Sequence, residues 1–297
     1  MFVKGVITAL ITPLNSDGSL CAECLKDLIE FQSRSGVQGL YLTGTAGEGV
    51  ILPVEVRAKV FEKALEFAGK NMYLLPHVGG ANVDSVIELA KRARDTGYRE
   101  VSVIAPIFHK PSRKGLVNYF ELISSKADVS VIMYNNPNRQ GYNVTPDDFQ
   151  ALVEAVPAIK GIKDTSRDVS QLLELVTRFG NKYFIAGGGD DLLFYTFFIG
   201  AHAHVCALSN VVPEAAVRIY RSVVEGKFKE ALEVQYKISL LRRLIGKMTP
   251  EAQEGLRELA KLRGLKPGYP PPQMFYEFDP KLVEEARKLI FEVILRD

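Results

Sequence analysis

Short β-prone apolar runs recur along the first two-thirds of the chain, and each is followed by a stretch whose apolar residues fall at helical spacing. No other feature constrains the fold as much. The alternation is the pattern of parallel strands joined by covering helices. Eight such units are present, with strands expected at 5–12, 39–43, 73–78, 101–105, 130–134, 159–163, 183–186 and 203–207. The intervening helices are expected at 23–35, 53–68, 82–96, 114–125, 145–154, 169–179, 190–199 and 213–224. Thr145 ahead of Pro146 and Asp148, and Asp168 ahead of an apolar run, read as helix N-caps.

Eight strand–helix units are what a (β/α)8 TIM barrel requires, so residues 1–225 are assigned to one α/β barrel. An even spacing of about 20–35 residues opposes a split into two domains. The alternative is an open doubly wound sheet, but the first strand runs out through Ile11-Thr12-Pro13-Leu14 without that fold's glycine-rich dinucleotide turn. Residues 226–297 read as an appended C-terminal helical region packed on the barrel, with helices at 227–247, 250–264 and 280–295 and a stiff proline-rich connector at 267–272.

Composition narrows the partners. The 37 Lys and Arg against 35 Asp and Glu leave a net charge of +2, which supplies no broad basic face for nucleic acid and favours small molecules. No segment approaches the roughly 18 apolar residues of a membrane span. The stretch 6–14 is interrupted by Thr8, Thr12 and Pro13 and reads as a first strand, not a leader. Three cysteines cannot all pair, and Cys21-x-x-Cys24 lacks the strand, motif and long helix of a thioredoxin, so that pair is set aside and the expected compartment is the cytoplasm. His202 and His204 lack a third ligand and are assigned a structural role, with no metal.

Barrel chemistry is built where the strands end. Lys163 lies toward the exit of the sixth strand, where parity with Gly161 and Ile159 aims it into the barrel. A desolvated lysine amine loses its proton more readily and becomes a nucleophile for a carbonyl carbon; a surface lysine on a misplaced strand is the alternative. Tyr134 ends the fifth strand with a hydroxyl that needs a partner, either as a proton carrier with Thr45 or as a satisfied core tyrosine. The Gly44–Gly49 loop presents backbone N–H groups to an anion, and the Gly187–Gly189 turn follows strand seven, where many barrels bind phosphate; no lysine or arginine lies close to those glycines in sequence.

Gly44-Thr45-x-Gly47-Glu48, Tyr134-Asn135-x-Pro137 and Gly161-x-Lys163-Asp164 resemble, in order and spacing, the dihydrodipicolinate synthase / N-acetylneuraminate lyase family over nearly the whole chain. The resemblance implies a pyruvate-dependent class I aldolase that needs no cofactor. Lys163 would form the imine with pyruvate, Tyr134 and Thr45 would relay protons, the loop N–H groups of Thr45 and Ala46 would hold the pyruvate carboxylate, the backbone of Val205 would line the pocket, and Gly187 would border the substrate. It also implies a homotetramer, a dimer of dimers.

Two positions depart from the family pattern. Ala46 replaces a second hydroxyl residue, and Phe108 stands where the synthases carry a tyrosine that reaches into the neighbouring subunit. Arg139 matches the arginine that takes the carboxylate of aspartate semialdehyde, so the expected activity is that of a 4-hydroxy-tetrahydrodipicolinate synthase. A 2-keto-3-deoxygluconate-type aldolase, favoured by Lys163-Asp164-Thr165 and Gly268-Tyr269-Pro270-Pro271-Pro272, or a related sugar-acid dehydratase, is the alternative. A non-catalytic keto-acid sensor, suggested by Ala46 and Phe108, stands behind both.

Overall fold

The computed structural model describes residues 2–296. Its parallel strands are β1 (Gly5–Ala9), β2 (Gly39–Leu42), β3 (Tyr73–Pro76), β4 (Glu100–Ile104), β5 (Ser130–Asn135), β6 (Ile159–Asp164), β7 (Phe184–Gly188) and β8 (Ala203–Cys206). They pair in the order β3-β2-β1-β8-β7-β6-β5-β4, and a single parallel bridge between His77 and Ser102 closes the ring at the β3–β4 seam. The expected eight-stranded α/β barrel is therefore the fold.

The covering helices are α1 (Ala22–Arg34), α2 (Val54–Phe67), α3 (Val83–Thr96), α4 (Arg113–Ala127), the short α5 (Pro137–Gln140), α6 (Pro146–Ala155), α7 (Val169–Phe179), α8 (Leu193–Phe198) and α9 (Pro213–Val224). Thr145 and Asp148 form a reciprocal capping box on α6, and the Asp168 side chain accepts from the Gln171 N–H at the start of α7. Then come α10 (Phe228–Met248), α11 (Ala252–Leu262) and α12 (Pro280–Lys288), which ends in a wide π-turn over Leu289–Ile294. The proline-rich connector lies against the exit of β1, where Leu14 and Tyr269 exchange backbone hydrogen bonds of 3.2 and 2.8 Å.

Two apolar layers follow from strand alternation. Ile7, Tyr41, Leu75, Ile132, Phe184 and Val205 fill the barrel, and a second layer between strands and helices continues without a break into Ile238, Leu241 and Ile245 of α10 and Leu259 of α11. β6 departs from simple alternation. Val131 pairs with Ile159 but Ile132 pairs with Gly161, so Lys160 is an extra residue, a β-bulge. Ile159 therefore faces the helices, contrary to the parity expected from the sequence, whereas Gly161 and Lys163 face inward.

The cysteine reading also needs correction. Cys21 and Cys24 are joined in a disulfide at the start of α1, with Cys206 left buried and free. No helix among the described residues is long and apolar enough to cross a membrane.

Candidate active site

At the C-terminal end of the barrel lies a cavity of about 200 Å3 lined by Thr45, Ala46, Tyr134, Lys163 and Val205, with Asn136, Arg139, Thr165, Arg242 and Gln253 nearer its mouth. β6 carries Lys163 to its floor, where the side chain is 4% exposed. Its Nζ sits 3.9 Å from the ring centroids of both Tyr41 and Tyr134. Burial holds the ammonium below the ordinary lysine value, opposed by the adjacent Tyr134 and, more weakly, by Asp190. The amine is thereby readied for attack on a carbonyl carbon.

Tyr134, at the end of β5, accepts a 2.6 Å hydrogen bond from Asn136 Nδ2 and shares a 3.2 Å hydrogen bond with Thr45 Oγ1. Burial pushes its phenol up, but Lys163 and the hydrogen bonds of Thr45, Asn136 and Thr165 outweigh it, and the phenol lies below the ordinary tyrosine value. Lysine, phenol and hydroxyl thus form one connected path for a proton beside the nucleophile. The N–H groups of Thr45, Ala46 and Gly47 have no acceptor among the described residues, so the loop offers them to an anion in the cavity.

That loop is held from behind. Glu48 is buried in an ion pair with Arg257 of α11, and Arg257 also donates to the carbonyls of Thr12 and Pro267, both at 3.0 Å. Glu254 completes the cluster 3.4 Å from Arg257 Nε. Burial first, then contact with Glu48, pushes the Glu254 carboxyl up from 4.5 to about 8. The folded protein then keeps a proton that the unfolded chain releases, so this group lowers stability progressively as pH rises from about 4.5 to 8. Thermal midpoints measured across that window should fall more steeply for the wild type than for Glu254→Gln; equal slopes would assign that proton to another group.

Other expected positions lie differently. Arg139 is at the cavity wall, but its fork is engaged by Glu251 at 2.8 and 2.5 Å. Gly187 faces away from the cavity, because a Cβ there would point at Thr196 Oγ1 of α8, 2.4 Å away; Gly189 is the glycine that lines the wall. Phe108 is 88% exposed and outside this chain's own cavity. His202 and His204 take separate partners, the Ile185 N–H and Thr196 Oγ1.

Sequence reasoning missed Tyr41, whose inward parity on β2 was a usable signal. It also missed Arg167 and Arg242, which reach the mouth from outside the strands and pair with Asp191 and Asp190.

A desolvated lysine with a phenol and an anion-binding loop at the strand ends of a (β/α)8 barrel defines a lyase of the class I aldolase type. The chain belongs to the dihydrodipicolinate synthetase family, whose model matches residues 2–283. It is 31% identical over 231 residues, 78% of either chain, to the 4-hydroxy-tetrahydrodipicolinate synthase of Persephonella marina. The dihydrodipicolinate synthase of Aquifex aeolicus superposes with a TM-score of 0.88 at 25% identity, covering 97% of both chains. The N-acetylneuraminate lyase of Fusobacterium nucleatum superposes with 0.89 at 27% identity, covering 98% of this chain and 99% of its own.

Proposed function

We propose that the enzyme joins pyruvate to an aldehyde, or cleaves the product, through an imine on Lys163. The observation that carries the reading is the buried Nζ beside the Tyr134 hydroxyl and the open amides of Thr45 and Ala46. The amides take the pyruvate carboxylate. The amine adds to C2, the ketone oxygen leaves as water after gaining protons by way of Tyr134 and Thr45, and an iminium remains. Loss of a C3 proton gives the enamine, whose C3 bonds to the aldehyde carbon. Hydrolysis then frees the product and Lys163.

For the acceptor, Arg139 at the cavity wall favours an aldehyde bearing a carboxylate, aspartate semialdehyde first, in keeping with the synthases among its relatives. A hydroxylated aldehyde such as glyceraldehyde is the second reading, favoured because Glu251 already fills the Arg139 fork and the Thr165 hydroxyl lines the cavity. Steady-state assays with pyruvate and each aldehyde decide between them. If the acceptor is a carboxylate, Glu251→Gln frees the guanidinium and should lower KM for aspartate semialdehyde by about tenfold, the effect of one charge-assisted hydrogen bond. An unchanged KM, with glyceraldehyde the better substrate, would favour the second reading. The reading includes a cytoplasmic homotetramer, with Phe108 exposed as a side chain bound for a neighbouring subunit must be.

A further inference from the structure

The imine chemistry creates a positive charge in a place poorly equipped for one. Among the described residues no carboxylate lies within ion-pairing distance of Lys163, and the cavity floor excludes bulk water. The rings that face the amine are Tyr134 from β5 and Tyr41 from β2; His77 beyond β3, His204 on the outward face of β8 and Asp190 after β7 act on it only at a distance. Both histidines are held uncharged, chiefly by burial, so neither adds a second positive charge. What remains close to the nitrogen is the face of two aromatic rings.

Tyr134 has a second task in proton transfer, but nothing in the proton path uses Tyr41. Its hydroxyl points away from the amine, sharing a 2.8 Å hydrogen bond with Ser102 Oγ of β4, which leaves the ring face as the part turned to Lys163. The ring is clamped: it meets Tyr134 edge-on at 5.9 Å, it packs against His77 at 5.7 Å, and a Cβ on Gly44 would come within 2.3 Å of Tyr41 Cε1. A ring held this firmly costs no reorganisation when charge appears in front of it.

We propose that Tyr41 is a further catalytic residue, whose ring face carries the positive charge of the Lys163 nitrogen as ammonium and then as iminium. The inference rests on Lys163 forming the imine. A cation over a desolvated aromatic face gains attraction from the ring quadrupole, and that attraction weakens as fluorine withdraws electron density from the ring. The amine and the neutral enamine gain little from it, so Tyr41 selects the charged forms.

The test is a series at position 41: Tyr41→Phe as reference, then phenylalanines bearing one and three fluorines installed at the same site, which are near-isosteric and preserve packing. For each protein, the pyruvate adduct trapped by borohydride is measured by intact mass from pH 5 to 10. Weakening the ring's charge should move the acid limb of trapping toward lower pH, by about one unit at three fluorines, and lower the adduct trapped at subsaturating pyruvate about tenfold. A limb that stays in place across the series, with Lys163 still trapped, overturns the role of Tyr41 and leaves the imine reading intact. Absence of any adduct in the wild type overturns the imine reading itself. Tyr41→Leu adds a ring-free endpoint, and a uniform loss of trapping there without a moved limb would count as packing alone and against the proposal.

Discussion

Lys163→Ala should abolish pyruvate trapping by borohydride and reduce turnover by about 10^4-fold or more, because the variant has no nitrogen with which to form the covalent intermediate. The loss should come without unfolding. Burial depresses the Lys163 ammonium below its ordinary value, so at neutral pH the folded state holds that proton less favourably than the unfolded chain does, and stability rises with pH through the depressed value. Removing the amine removes that cost, and the thermal midpoint at neutral pH should be no lower than that of the wild type. A variant that retained turnover, or a pyruvate adduct mapped to another lysine, would refute the assignment.

Arg257→Leu should have the largest effect on stability. Arg257 is 3% exposed and touches Glu48, Glu254 and the carbonyls of Thr12 and Pro267, so its loss strands the buried Glu48 carboxylate, the Glu254 carboxyl and two backbone acceptors. Breaking a buried pair by removing one partner costs about 3–5 kcal/mol, or on the order of 10 °C in Tm for a chain of this size. Function should suffer too, because the loop ahead of Glu48 is strained: Thr43 and Glu48 both hold left-handed backbone, φ 49° and 57°. With Glu48 released, the amides of Thr45 and Ala46 lose their fixed direction and KM for pyruvate should rise. Calorimetry with and without pyruvate checks both parts; a Tm within about 2 °C of wild type would mean the cluster is dispensable.

The barrel was readable because its information is local. Strand and helix periods alternate within windows of a dozen residues, and α7 begins and ends where its pattern says, at Val169 and Phe179. Lys163 and Tyr134 were readable for the related reason that reactive groups on exiting strands belong to one rim. The contacts that tune the site are not local. Arg257 finds Glu48 across 209 positions and Arg139 finds Glu251 across 112, and neither pairing leaves a periodic trace in the chain. The Gly187 expectation failed on parity, because alternate residues of β7 face opposite layers and its Cβ direction points to α8. The bond between Cys21 and Cys24 was within reach of their spacing, yet the motif alone did not say whether the pair would close.

The extra residue in β6 frees the catalytic address from the count at the start of the strand. Deleting Lys160 alone would set Ile159, which faces the helices, directly before Gly161, which faces the barrel, and restore an unbroken two-residue alternation along the strand. Ile162 would still face the helices and Lys163 would still face the cavity. The bulge thus absorbs the loss of one codon at the far end of the strand without turning the lysine. A homologue with one residue fewer below the glycine keeps its lysine at the same address.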